Sequence, residues 1–307
     1  MILLLLLLTL CAGAVIPLQT SINARLHHFT HSSFYTSAIS FLVGSLTLAI
    51  VILCFQPHYF TPHTLSTFQL DYRWVIGGLM GVIFLTGNLL LLPRIGASLT
   101  VVTTLSGQLI MSLLIDTFGW FHLPMRPLTI VKILGLILLF TGIILMNLTS
   151  KQATNQIHNR IWLIVGVLFG AAPPIQTAIN SSLGQLTHSS LFAAFVSFTV
   201  GTATLFLLTI IFHRRFKIYK RDTTSRPLRW WYFTGGMLGA IFVTTNIIVA
   251  PILGITVSLI IVMLGQIIMG LCIDHFGWLN APKQAIHLKR ILGLLCVIVA
   301  IFIIQLN

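Results

Sequence analysis

The sequence predicts an all-α polytopic membrane protein: ten transmembrane helices arranged as two inverted five-helix repeats. Three observations carry that expectation. The 307-residue chain is 57% hydrophobic and 7% charged, with mean hydropathy +1.02, where a soluble domain carries about 25% charged residues. Several apolar runs reach the roughly 20 residues that a helix needs to cross a bilayer. The stretch from Gly107 to Trp120, which contains Gln108 and Asp116, recurs 158 residues later from Gly265 to Trp278, with Gln266 and Asp274 in the same places.

The first apolar run extends from Met1 to about Leu26. No Lys or Arg precedes it, as a signal peptide would require. Its segment Ile16-Pro17-Leu18-Gln19-Thr20-Ser21-Ile22-Asn23 matches Pro173-Pro174-Ile175-Gln176-Thr177-Ala178-Ile179-Asn180. It therefore reads as a retained span equivalent to the sixth. Further runs fall at 33–55, 73–93, 97–118 and 128–148, and again at 160–182, 189–212, 230–251, 254–275 and 288–306. The polar segment Thr149–Asn159 joins the halves, which divides the chain into repeats 1–152 and 153–307.

The internal match is dense. Thr30-His31-Ser32-Ser33 pairs with Thr187-His188-Ser189-Ser190 at an offset of 157. Gly77-Gly78, Asn88, Pro93 and Gly96 pair with Gly235-Gly236, Asn246, Pro251 and Gly254 at 158, one residue having been added after the second helix. An odd number of spans per unit forces the two units into opposite orientations, as in many secondary transporters.

Let side A hold the N-terminus and every second loop. Three Lys and Arg then fall on side A and fourteen on side B, seven of them in the loop Arg214–Arg229. The positive-inside rule places side B in the cytoplasm and both termini outside. The net charge of +13 is thus read as orientation rather than as affinity for nucleic acid.

Cys11, Cys54, Cys272 and Cys296 form no metal-ligand spacing and read as small buried hydrophobes. The chain has no Glu, no HExxH and no GxSxG, and its glycine sets follow no strand. No enzyme activity, cofactor or metal is expected.

The series Gln19-x-x-x-Asn23, Ser40-Phe41-x-x-Gly44, Gly77-Gly78-x-x-Gly81, Asn88, Pro93 to Gly96, and Gly107-Gln108 through Asp116-x-x-Gly119 occurs twice. It resembles the YdcZ-type family of the drug/metabolite transporter superfamily across nearly the whole chain. The resemblance implies an EamA-like ten-helix transporter made of two fused five-helix units. It also implies termini in the cytoplasm, against the charge count.

Candidate site residues are the recurring amides. Gln19 and Asn23, four apart, share a helix face beside Pro17, and Gln176 and Asn180 repeat them beside Pro174. Asn88 and Asn246 precede Pro93 and Pro251, and Gln108 and Gln266 head the polar stripes that end at Asp116 and Asp274. Each amide suits hydrogen bonding to a solute in a cavity, or to a neighbouring helix. Asp116 and Asp274 are candidates for proton coupling. Lying beside Phe-Gly-Trp helix ends, they could instead pair with Arg126 or Lys283, or cap a loop. Glycines 77, 78, 81, 235, 236 and 239 read as close helix packing. Ser32-Ser33 and Ser189-Ser190 read as helix N-caps.

The expected function is secondary transport, by alternating access, of a small metabolite or drug-like solute, outward, with Asp116 and Asp274 as the candidates for proton coupling. The alternative is a membrane scaffold or assembly subunit. The expected partners are the solute and membrane lipid, with no nucleic acid, and the chain is a monomer or homodimer in the bacterial inner membrane.

Overall fold

The protein is described here by a computed structural model that covers residues 2–68, 70–147, 160–213, 216–220, 227–278 and 288–305. The expected join between repeats, Lys283 and most of the basic loop 214–229 lie outside these residues.

The first half contains α1 (Ile2–Thr30), α2 (Ser33–Phe55), a short α3 (Pro62–Thr67), α4 (Arg73–Phe118) and α5 (Ile130–Asn147). The second contains α6 (Arg160–Gly170), α7 (Ala172–Leu186), α8 (Ser190–Phe212), α9 (Gly235–Leu253), α10 (Ile255–Phe276) and α11 (Leu288–Gln305). Among the described residues, seven stretches are long and apolar enough to cross a membrane, with α5 and α11 shorter apolar helices. Residues such as Ile50, Ile164, Leu207 and Ile241 turn outward, as a lipid-facing surface requires.

Local chemistry explains the helix ends. His31 follows α1 at φ 53°, and Ser32 then accepts the Tyr35 N–H at 3.2 Å to cap α2. His188 at φ 54° and Ser189, which accepts the Phe192 N–H at 3.2 Å, repeat the turn before α8. The halves differ at the prolines. One proline leaves α1 continuous, whereas the pair Pro173-Pro174 deletes two successive N–H donors, and the helix breaks at Ala171 between α6 and α7.

Where the sequence predicts separate spans at 73–93 and 97–118, the structure has one 46-residue helix, α4. It is not straight. Gly166 lies against both Leu91 and Thr103, two residues that a straight helix would hold about 18 Å apart. The helix is therefore sharply bent between them, in the region of Pro93, and both of its limbs touch α6. In the second half the equivalent turn is a true break. Gly254, at φ 92°, ends α9 and begins α10.

Contacts between the halves come in exchanged pairs. Phe41 packs on Gly201 and Phe198 on Gly44. Gly13 meets the backbone of Val262, and Gly170 meets that of Thr104. Gly265 meets Leu10, and Gly107 meets Val167. Two pairs of equivalent helices, α2/α8 and α5/α11, pack antiparallel. Phe34 at the start of α2 stacks on Phe212 at the end of α8, while Ile52 near the end of α2 clusters with Phe192 near the start of α8. In the same way Gly135 of α5 touches Ile304 of α11, and Gly142 touches Val297.

The loops sort onto two faces. Tyr219 N–H donates to Phe29 O at 2.9 Å on side B, so the described part of the basic loop sits on the α1–α2 turn. On side A, Tyr59 donates to Thr187 O at 2.5 Å and Ser189 donates to Gln56 Oε1 at 2.6 Å.

Candidate functional site

A cavity of about 590 Å³ lies between the halves. Its wall takes Thr20 from α1, Asn88, Thr104 and Gln108 from α4, Gln176, Thr177 and Asn180 from α7, Asn246 from α9 and Gln266 from α10. Phe84, Phe242 and aliphatic side chains complete it, and none of the lining residues is charged. Six of the eight amides singled out from the sequence thus reach one cavity.

Asn88 Nδ2 donates to Phe84 O at 3.0 Å, and Asn246 Nδ2 donates to Phe242 O at 2.9 Å. Each amide N–H₂ is thereby turned back on its own helix, one turn earlier. The carbonyl oxygen and the second N–H of each amide take no part in that bond.

Gln19 and Asn23 do not reach the cavity wall. They fill sockets that α9 leaves open by having glycine, where the sequence reading placed them on a cavity. A Cβ on Gly239 would stand 2.7 Å from Gln19 Nε2, and one on Gly235 would stand 3.1 Å from Asn23 Cγ. Asn23 Nδ2 donates to Ser40 Oγ at 3.2 Å. The second half has the same arrangement. Gly81 faces Gln176 Nε2 at 2.8 Å and Gly77 faces Asn180 Cγ at 3.0 Å, while Asn180 Nδ2 donates to Ser197 Oγ at 3.0 Å. Asn23 Oδ1 and Asn180 Oδ1 are buried without a hydrogen-bond partner, each turned toward its glycine.

The four-residue spacing of Gln19 and Asn23 equals that of Gly239 and Gly235, taken in the opposite direction. The socket could have been found in the sequence from that match. Thr20 and Thr177 escaped notice although they recur inside the quoted motif. Thr104 has no counterpart, because Val262 occupies its place.

Asp116 lies outside the cavity wall. Its Oδ1 accepts the Ile255 N–H at 2.8 Å and its Oδ2 accepts the Thr256 N–H at 2.7 Å. Arg126 does not pair with that carboxylate. Its backbone N–H donates to Asp116 O at 2.7 Å, and its Nη2 donates to Ile252 O at 2.5 Å. The side chain of Asp274 lies outside the described residues. No group of His, Cys or Asp among the described residues could hold a metal ion.

Outside the spans, Asp71 pairs with Arg73, whose Nε donates to it at 2.6 Å and holds its carboxyl below the usual carboxylate range. Arg73 Nη1 also donates to Ser182 Oγ at 3.2 Å, which ties α4 to α7 on side A.

A solved structure described only as the crystal structure of a protein superposes on this chain with a TM-score of 0.67 at 15% identity, over 99% of this chain and 96% of that one. The likeness extends the architecture to a whole known fold. No curated protein matches the sequence. The sequence profile of DMT_YdcZ, described as "Putative inner membrane exporter, YdcZ", matches residues 4–145 and again 161–303. The chain therefore belongs to the YdcZ family of inner-membrane exporters and is a multi-pass integral protein of that membrane.

Proposed function

We propose that this protein is a secondary exporter that carries small uncharged organic solutes through the cavity between its halves. The chain works as two inverted five-helix repeats, 1–152 and 153–307, that alternate the access of one site. The exchanged contacts and the antiparallel α2/α8 and α5/α11 pairs support that reading.

The observation that carries the solute class is the uncharged wall. Moving an ion into such a site without a counter-charge costs several kcal/mol. A neutral solute of metabolite size can instead exchange its water for the amides of Asn88, Gln108, Gln176, Asn246 and Gln266 and the hydroxyls of Thr20, Thr104 and Thr177. Phe84 and Phe242 supply apolar surface for its carbon frame. Asp116 has both oxygens committed to backbone N–H groups away from this wall, so proton coupling is not assigned to it.

Liposome reconstitution with labelled neutral, anionic and cationic solutes tests the proposal. Neutral solutes are expected to move, and Asn246→Leu is expected to abolish their transport while the purified protein keeps its unfolding temperature. Full transport by that variant, or transport confined to ionic solutes, would reject the assignment.

A further inference from the structure

We infer that Asp116 and Arg126 form a latch that holds the two halves together on side A and must release before side A opens. The latch rests on the alternating-access reading above. The first N–H groups of a helix have no partner within it and need acceptors from elsewhere. The Gly254 break exposes such a set at the start of α10, and no side chain of α10 caps it. Asp116, in the last turn of α4, supplies both acceptors from the other half of the chain. Its negative charge also sits at the positive end of the 22-residue α10 dipole. Arg126 binds the Ile252 carbonyl just before the break. The first half thus grips both lips of the break.

The rest of side A is fastened in the same sense. The bonds from Ser189 to Gln56, from Tyr59 to Thr187 and from Arg73 to Ser182 all cross between the halves.

The equivalent place on side B is built differently from the same motif. Gly96 is the counterpart of Gly254, and Ala97 and Ser98 are the counterparts of Ile255 and Thr256. They lie at the bend of α4, whose helical backbone continues through it, so no helix start is presented. One copy of the motif is broken and capped across the halves, and the other is continuous helix. In a protein whose halves exchange conformations, these are the two positions of one switch. Asp116 caps α10 while side A is shut, and Asp274 would cap the lower limb of α4 when side B is shut.

The test uses the full chain with Cys11, Cys54, Cys272 and Cys296 replaced by Ser, and with Thr104→Cys as a reporter on the cavity wall. A membrane-impermeant methanethiosulfonate is applied to vesicles of each orientation. Asp116→Ala is expected to raise the labelling rate from side A by about ten-fold, the factor a lost helix cap is worth, with no rise from side B. Ile255→Pro removes one of the two capped N–H groups at a helix position that suits proline. It should give a smaller rise on the same side, and it serves where Asp116→Ala does not fold. An unchanged side-A rate in a folded variant, or an equal rise from both sides, would overturn the latch. Wild-type liposomes that carried no solute would count against the transport reading alone, because the labelling comparison does not depend on transport.

Discussion

Consider Gly235→Ala. The new Cβ would stand 3.1 Å from Asn23 Cγ and overlap Asn23 Oδ1. The α9 backbone cannot retreat easily, since its neighbour Gly236 already touches the α2 backbone at Ser40 and Gly44. Asn23 must therefore turn, and its 3.2 Å bond to Ser40 Oγ is lost. Overpacking a close helix contact costs about 1–3 kcal/mol, and the lost hydrogen bond about 1 kcal/mol. The expected destabilisation is about 2–4 kcal/mol. It can be read from reversible unfolding in mixed micelles. The reasoning has a sharper consequence in the double variant. Asn23→Ala alone should destabilise, yet combined with Gly235→Ala it should recover stability, giving a coupling of about 1–2 kcal/mol. Strict additivity, or a neutral Gly235→Ala, would refute the socket. Gly77→Ala against Asn180 should behave alike in stability and should also lower transport, because Asn180 lines the cavity.

Ser189→Ala removes both the cap on the Phe192 N–H and the bond to Gln56, so it should cost more than Ser32→Ala, which loses about 1 kcal/mol of capping; paired unfolding curves check the order. Gly254→Ala places a Cβ at φ 92° and 2.8 Å from Arg126 Cδ and should lower the unfolding temperature by several degrees. Arg73 holds the Asp71 carboxyl below its ordinary value of 3.8 in the folded state. Its contribution is therefore full above that value and is lost as pH falls through the lower folded-state value. Asp71→Asn should cost under about 1 kcal/mol at pH 7 and should flatten the acid limb of the stability profile.

The membrane class, the duplication and the helix ends were legible because each depends on local residues: apolar runs, repeated words, and a serine after an αL histidine. Asn88, Asn246, Gln108 and Gln266 were legible as candidates because an amide in an apolar run needs a partner. What the chain could not disclose was which surface each amide meets. Gln19 and Gln176 are equivalent in sequence, yet only Gln176 reaches the cavity. The continuity of α4 was equally hidden. Whether Gly96 or Gly254 breaks its helix depends on an acceptor for the freed N–H groups, and for Gly254 that acceptor is Asp116, 139 residues from the amide it binds. The sequence offered Asp116 as a cap, but nothing in it named a partner that far along the chain.

The exchanged glycine contacts also bear on how the protein is made. Asn23 enters the bilayer early, and about 210 residues of chain separate it from the Gly235 that receives it. Until α9 is inserted, the side of Gln19 and Asn23 that faces it stays uncovered, and the newborn first half has no finished surface of its own. Insertion and assembly are therefore separate events here, with the second waiting on the last helices translated. The same interlocking means that the two halves, synthesised as separate polypeptides in one cell, carry all the complementary surface they need to find each other. Either half expressed alone should be a substrate for membrane quality control.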